Sequence, residues 1–254
     1  MRRLIPLYSA AQPNPSTRMQ ERAGDMNITW LGHSCFRIET GGSIILIDPF
    51  LKGNPTFERS GVAWETATEG VTHVALTHGH DDHLGDAGEI CKTRKATLFA
   101  VFELAMFVAA KGAENLEPMN TGGTVRSADF DLTFTNAFHS SSSGGHYLGQ
   151  PCGIVLTTRE GKTVYHMGDT EIFGDMALIN DLHHPEIGLV PIGDRFTMGA
   201  RRAALACKKY FKFEAVFPCH YGTFAMLDQT ADAFVAEMAG HKVIVPKAGE
   251  SVTV

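Results

Sequence analysis

Residues 71–83, VTHVALTHGHDDH, decide how this chain is read. Residues 71–76 form a β-branched, apolar run of the kind that makes a buried strand. The run stops at Thr77-His78-Gly79-His80, where glycine lets the backbone turn sharply. His78, His80, Asp82 and His83 then fall within six positions of one another. No single regular face of a helix or strand would gather them, but a loop at a strand end can turn all four towards a metal ion. Imidazole suits zinc, copper, iron and nickel, and a carboxylate can complete or bridge such a site.

Outward from that loop, the remaining metal-capable residues recur in the same setting. His139 follows a strand expected over 132–137, Asp169 one over 163–166, and His220 one over 215–217. Strand-end loops collect on one edge of a sheet, where layered α/β proteins place their ligands. Further strands are expected over 27–30, 35–40, 43–48, 96–101, 125–127, 154–158, 187–192 and 243–245. The pair 35–40 and 43–48 is joined at Gly41-Gly42, a hairpin signal. Helices are expected over 86–93, 103–111, 175–182, 203–210 and 230–238. Residues 50–69 read as a loop, and 140–146 as a flexible serine- and glycine-rich linker beside His139. Early strands followed by alternating strands and helices predict layered sheets with helices outside.

The whole chain sets limits on function. Its 254 residues can bury a large core as one domain, and its net charge of −6 provides no basic footprint for nucleic acid. Five cysteines without C-x-x-C spacing read as reduced thiols in a cytoplasmic protein. No apolar run approaches the roughly 20 residues of a membrane span. Residues 1–25 read as an extension outside the core, and 26–254 as a single hydrolase domain. Self-association is left open.

The pattern His78-x-His80-x-Asp82-His83 resembles the signature of the metallo-β-lactamase superfamily. Three flanking segments are similar to the metal-dependent hydrolases called UPF0173. They are Trp30-Leu31-Gly32-His33-Ser34, Pro191-Ile192-Gly193-Asp194 with Phe196-Thr197-Met198-Gly199, and His220-Tyr221-Gly222-Thr223-Phe224. That family is similar in turn to ascorbate-6-phosphate lactonase and to phospholipase D-like hydrolases of N-acyl phosphatidylethanolamine. One departure is Ala200, where the pattern leads one to expect proline; it bears on a helix start, where proline is favoured but not required. The resemblance implies an α/β (α+β) four-layer αββα sandwich with the metal site at one edge of its sheets. It implies that His78, His80 and His139 hold one ion, that Asp82, His83 and His220 hold a second, that Asp169 bridges them, and that Asp48 supports the ligand histidines.

Two divalent ions roughly 4 Å apart can activate a water between them at neutral pH and polarise a carbonyl or phosphoryl oxygen. The expected function is therefore a hydrolase of an ester, lactone or phosphodiester of small-molecule size. Its cofactors are two divalent ions, zinc first, with manganese or iron as alternatives. No Gly-x-Ser-x-Gly nucleophile is present. Beyond the ligands, Asp82 and His33 are candidates for proton transfer or substrate contact, Tyr221 for a hydrogen bond to an oxyanion, and Asp194 and Thr197 for shaping the pocket. The competing readings are a di-iron redox protein of the same superfamily, in which the second motif position is typically Glu rather than His80, and a metal-binding protein without catalysis.

Overall fold

The computed structural model describes residues 26–254, so the expectation for residues 1–25 lies outside the described residues. Two sheets are stacked face to face. The first has seven strands in the spatial order Ser251–Thr253, Asn27–Trp30, Phe36–Thr40, Ser43–Ile47, His73–Ala75, Thr97–Val101 and Leu116–Met119. The second has six, in the order Ala215–Cys219, Ile187–Pro191, Thr163–His166, Cys152–Thr158, Phe130–Asn136 and Thr124–Arg126. The strands nearest Asn27–Trp30 pair antiparallel, whereas Ser43–Ile47 through Leu116–Met119 are parallel. In the second sheet Thr163–His166, Ile187–Pro191 and Ala215–Cys219 are parallel. Parallel strands end on the same edge, which is why His78, Asp169 and His220 can share one rim.

Aromatic contacts fill the space between the sheets. Phe36 meets His166 at 5.6 Å between ring centroids, and Phe130 meets both His73 at 5.0 Å and Phe99 at 6.1 Å. Helices Ala87–Arg94 and Phe102–Ala109 pack on the first sheet, and Ala200–Tyr210 packs on the second between Met176–His183 and Asp232–Glu237. Ala200–Tyr210 shows why: Ala203, Ala204, Ala206 and Cys207 are buried, while Arg201, Arg202 and Lys208 face water. It starts at Ala200 with Gly199 as its cap, so the missing proline leaves the helix start intact.

At the site edge the sheets are tied by backbone hydrogen bonds. The Cys152 N–H donates to the Thr77 carbonyl at 2.9 Å, and the His220 N–H donates to the His33 carbonyl at 3.0 Å. These bonds hold the loops of the two sheets in fixed register where the histidines meet.

Several expectations are corrected. Residues 50–69 are not irregular: they carry helices Pro55–Ser60 and Trp64–Thr68. Asn54 Oδ1 accepts from the Thr56 and Phe57 amides, Pro55 occupies the first turn, and Gly61 closes the helix at φ +74. Residues 243–245 form no strand; Val243 makes one isolated bridge to Val216, and Pro246 cannot donate to a ladder. The final strand is Ser251–Thr253, paired with Asn27–Trp30. Leu116–Met119, on the sheet edge where Pro118 is tolerated, went unread. The expected linker at 140–146 contains a small hairpin, Ser142–Ser143 with His146–Tyr147, turned at Gly144-Gly145.

Candidate metal centre

Asp48 ends its strand fully buried, with φ +46, and organises the ligand loops around it. Its Oδ1 accepts from the Thr77 amide at 2.8 Å, and its Oδ2 accepts from the Thr77 hydroxyl at 2.6 Å and from His83 Nδ1 at 2.7 Å. Since His83 gives its Nδ1 proton to Asp48, its Nε2 is turned inward. Thr77, donating to Asp48, accepts from His78 Nδ1 at 3.0 Å, which turns His78 Nε2 inward too. Such outer partners fix the tautomer and aim of a ligating imidazole. His80 reaches Ser140 Oγ through Nε2 at 3.2 Å and points Nδ1 at His78 Nε2, 3.0 Å away.

Asp169 lies at the middle. Its Oδ2 is 3.0 Å from His220 Nε2, 3.3 Å from His83 Nε2, 3.5 Å from His139 Nε2 and 4.0 Å from His78 Nε2. Four imidazole nitrogens from three separate loops thus surround one carboxylate oxygen. Potential ligand atoms form two main groups, each within 4.8 Å: His78, His80 and His139; and His33, Asp82, His83 and His220. A third, Asp48 with His78 and His83, shares members with both and is the outer support centred on the Asp48 carboxylate.

The protonation of these groups follows from burial and charge. His78, His80 and His139 are held below the usual histidine value, first of all by burial. They are therefore neutral and able to donate lone pairs. Burial alone would also lower His83, but the Asp169 and Asp48 carboxylates outweigh it and hold it well above the usual value. Burial opposes ionisation of Asp169, yet His220 and His83 keep it well below the carboxylate range. A proton and a metal cation compete for the nitrogen between two such carboxylates. Among the described residues, the buried atoms His83 Nε2, His220 Nδ1 and Asp169 Oδ1 have no hydrogen-bond partner. An unmet buried polar atom costs about 1–3 kcal/mol. A divalent cation would satisfy His83 Nε2 and Asp169 Oδ1 directly, so the donor set fits one.

The remaining predicted residues fall in different places. His33 is fully buried and does not line the cleft. Burial, followed by the nearby His220, pushes it down to about 4, so the ring is neutral. With its single proton it donates from Nε2 to Asp82 Oδ2 at 3.1 Å and accepts from the Thr223 hydroxyl at Nδ1 at 3.0 Å. Tyr221 stacks on Trp30 at 5.2 Å and does not line the cleft. Asp194 is exposed and 3.4 Å from Arg202, while the buried Thr197 donates its hydroxyl to the Met198 carbonyl at 3.2 Å. Both build a loop and do not touch the ligands. Thr77 and Thr223 carried no assigned role in the sequence reading. A hydroxyl residue directly before a candidate ligand is the local signal that could have found Thr77.

The site opens into a cleft of about 340 Å³ lined by His80, Asp82, His139, Ser140, Asp169, Phe196 and His220. A larger groove of about 510 Å³ runs between Met176–His183 and the second sheet. It offers Asp175 and His183 but no clustered ligands.

A paired-sheet sandwich with histidine- and aspartate-bearing loops at one edge defines a class that the comparisons make specific. The beta-lactamase superfamily domain matches residues 27–220. A UPF0173 metal-dependent hydrolase of Methylocella silvestris is 56% identical over 224 residues, covering 87% of this chain and 95% of that one. One of a Chelativorans species is 57% identical over 235 residues, covering 89% and 99%. A metallo hydrolase from the hyperthermophilic archaeon Ignicoccus hospitalis superimposes with a TM-score of 0.81 at 33% identity, covering 91% of this chain and 98% of that one. The chain belongs to the beta-lactamase superfamily and, within it, to the UPF0173 metal-dependent hydrolase family.

Proposed function

We propose that the protein is a hydrolase of a small-molecule ester, lactone or phosphodiester that works with two divalent metal ions. The observation that carries this reading is the single Asp169 oxygen ringed by Nε2 of His78, His83, His139 and His220 within 4.0 Å. His78, His80 and His139 would hold one ion, Asp82, His83 and His220 the other, and Asp169 both. Histidine-rich donors suit zinc best, with manganese or iron accepted where they are more available. When bound, such a pair supplies Lewis acidity and brings the pKa of water towards about 7.

The chain's own residues do the rest. Asp48 and Thr77 fix the tautomers of His83 and His78. His33 holds one oxygen of Asp82, and although burial works the other way, this hydrogen bond keeps Asp82 ionised. Asp82 lines the cleft, so its second oxygen is left to hold the ion and to orient an attacking water by accepting a hydrogen bond from it. His33 acts through Asp82, as a positioning residue.

A cleft of this size suits a small molecule, and the net charge of −6 disfavours nucleic acid. Among the described residues no helix is long and apolar enough to cross a membrane. All five cysteines are free and buried, which suits a reducing compartment, and we assign the protein to the cytoplasm. Residues 26–254 act as one catalytic unit. The test is metal quantification on purified protein, followed by assay against lactones, esters and phosphodiesters. About two equivalents of metal and hydrolysis lost in Asp169→Ala are expected. Hydrolysis that survives both metal removal and Asp169→Ala would contradict the reading.

A further inference from the structure

The loop after Ile187–Pro191 is built with unusual economy. Gly193 and Gly199 face each other in an isolated bridge, and between them Asp194 takes φ +61. The Thr197 N–H donates to the Asp194 carbonyl at 2.6 Å, and the Asp194 N–H donates to the Met198 carbonyl at 3.2 Å. The tip is therefore Arg195-Phe196. Both stems are anchored to the metal centre. A Cβ on Gly193 would collide with the His220 carbonyl oxygen, so the loop lies directly on that residue's backbone. On the other stem, the Met198 N–H donates to the Thr170 carbonyl at 3.2 Å, one residue beyond Asp169.

This anchored tip places Phe196 in the cleft, where it lines the wall with His80, Asp82, His139, Asp169 and His220. It is the one large apolar side chain among the described residues of that lining, and it is 51% exposed. Single exposed hydrophobics are ordinary on protein surfaces. A phenyl ring held by a glycine-closed loop within a wall of imidazoles and carboxylates is a different case. Thr170 serves a second aromatic as well: its hydroxyl accepts from the Phe138 N–H at 3.0 Å. Phe138, adjacent to His139, is 59% exposed and packed on Phe173 at 4.9 Å.

We infer that Phe196 is a specificity-determining residue: it packs against an aryl or branched apolar group that the substrate carries directly beside the bond that is cleaved. This deepens the hydrolase reading and rests on it for the word substrate. A purely polar substrate would leave the ring in water on binding, whereas an apolar neighbour removes both surfaces from it.

Acetohydroxamate and benzohydroxamate on the zinc-loaded full-length protein test this by calorimetry, since they share a metal-binding head and differ in the apolar group. The wild type is expected to bind benzohydroxamate at least about tenfold more tightly. That preference should shrink to about threefold or less in Phe196→Ala and return in Phe196→Trp. An equal preference in wild type and Phe196→Ala, or no binding of either probe, overturns the inference. Hydrolysis of phenyl-substituted and unsubstituted lactones is assayed alongside. A phenyl preference in binding without turnover of any ester, lactone or phosphodiester would sink the hydrolase reading and leave Phe196 as a binding determinant.

Discussion

The two groups of candidate ligands differ in what stands behind them. His80 and His139 are part-exposed at the cleft, and the outer partners of His78 and His80 are the hydroxyls of Thr77 and Ser140. His83 and His220 are buried, and behind their group stand the fully buried Asp48 carboxylate and the His33–Thr223 pair. The second group also owns a carboxylate, Asp82, whereas the first has only its share of Asp169. The second group has a carboxylate of its own and the buried Asp48 directly behind it, so it should hold its ion more tightly even though His83 must give up a proton to do so. Asp169 Oδ2 lies within 4.0 Å of imidazole nitrogens from both groups, so on the proposed reading the two halves depend on each other through it.

The largest effect expected is that of Asp169→Ala. Both ions should be lost or severely weakened, and turnover should fall on the order of a thousandfold or more, as when a group central to transition-state charge is removed. Turnover and metal content measured together check this. His83→Ala and His80→Ala then divide the halves: the first should release the tighter ion and the second the weaker, read as which step of a two-step metal titration disappears. Loss of the same step in both variants would erase the distinction. Asp48→Asn should weaken metal binding about 10- to 100-fold, the usual cost of removing an outer partner of a ligand. Ser140→Ala, at the exposed side, removes one part-solvated hydrogen bond and should change affinity by about threefold or less. The smallest change belongs to Tyr221→Phe, which keeps the stack on Trp30 and should leave turnover within about twofold.

Metal removal bears on stability as well. A site formed only in the folded chain stabilises it by about 2.7 kcal/mol for each ion present at a hundredfold excess over its Kd. Chelation should therefore lower Tm, and Asp169→Ala should no longer respond to the chelator.

Much of this centre can be read along the chain because its residues sit at the ends of strands whose apolar runs are local signals. His78 to His83 are consecutive, and His139, Asp169 and His220 each follow such a run. The features that stay hidden depend on contacts between remote segments. Ser251–Thr253 has one apolar residue, Val252, and becomes a strand only because Asn27–Trp30 offers an edge. His33 reads as a reachable histidine at a turn, but the arrival of Thr223 and His220 from the far end of the chain seals it behind Asp82. Tyr221 borders a candidate ligand, yet His220 takes a left-handed backbone at φ +59 and the ring that follows it turns to Trp30 instead. The helices at 55–68 were legible in principle, since Asn54-Pro55 is a start signal and Gly61 a stop.

The shared carboxylate can be tested most directly by anomalous diffraction from crystals grown with zinc, recorded at the zinc edge. Two peaks are expected to flank Asp169, one contacted by His78, His80 and His139 and the other by Asp82, His83 and His220. A single peak, or two peaks of which only one touches Asp169, would contradict it.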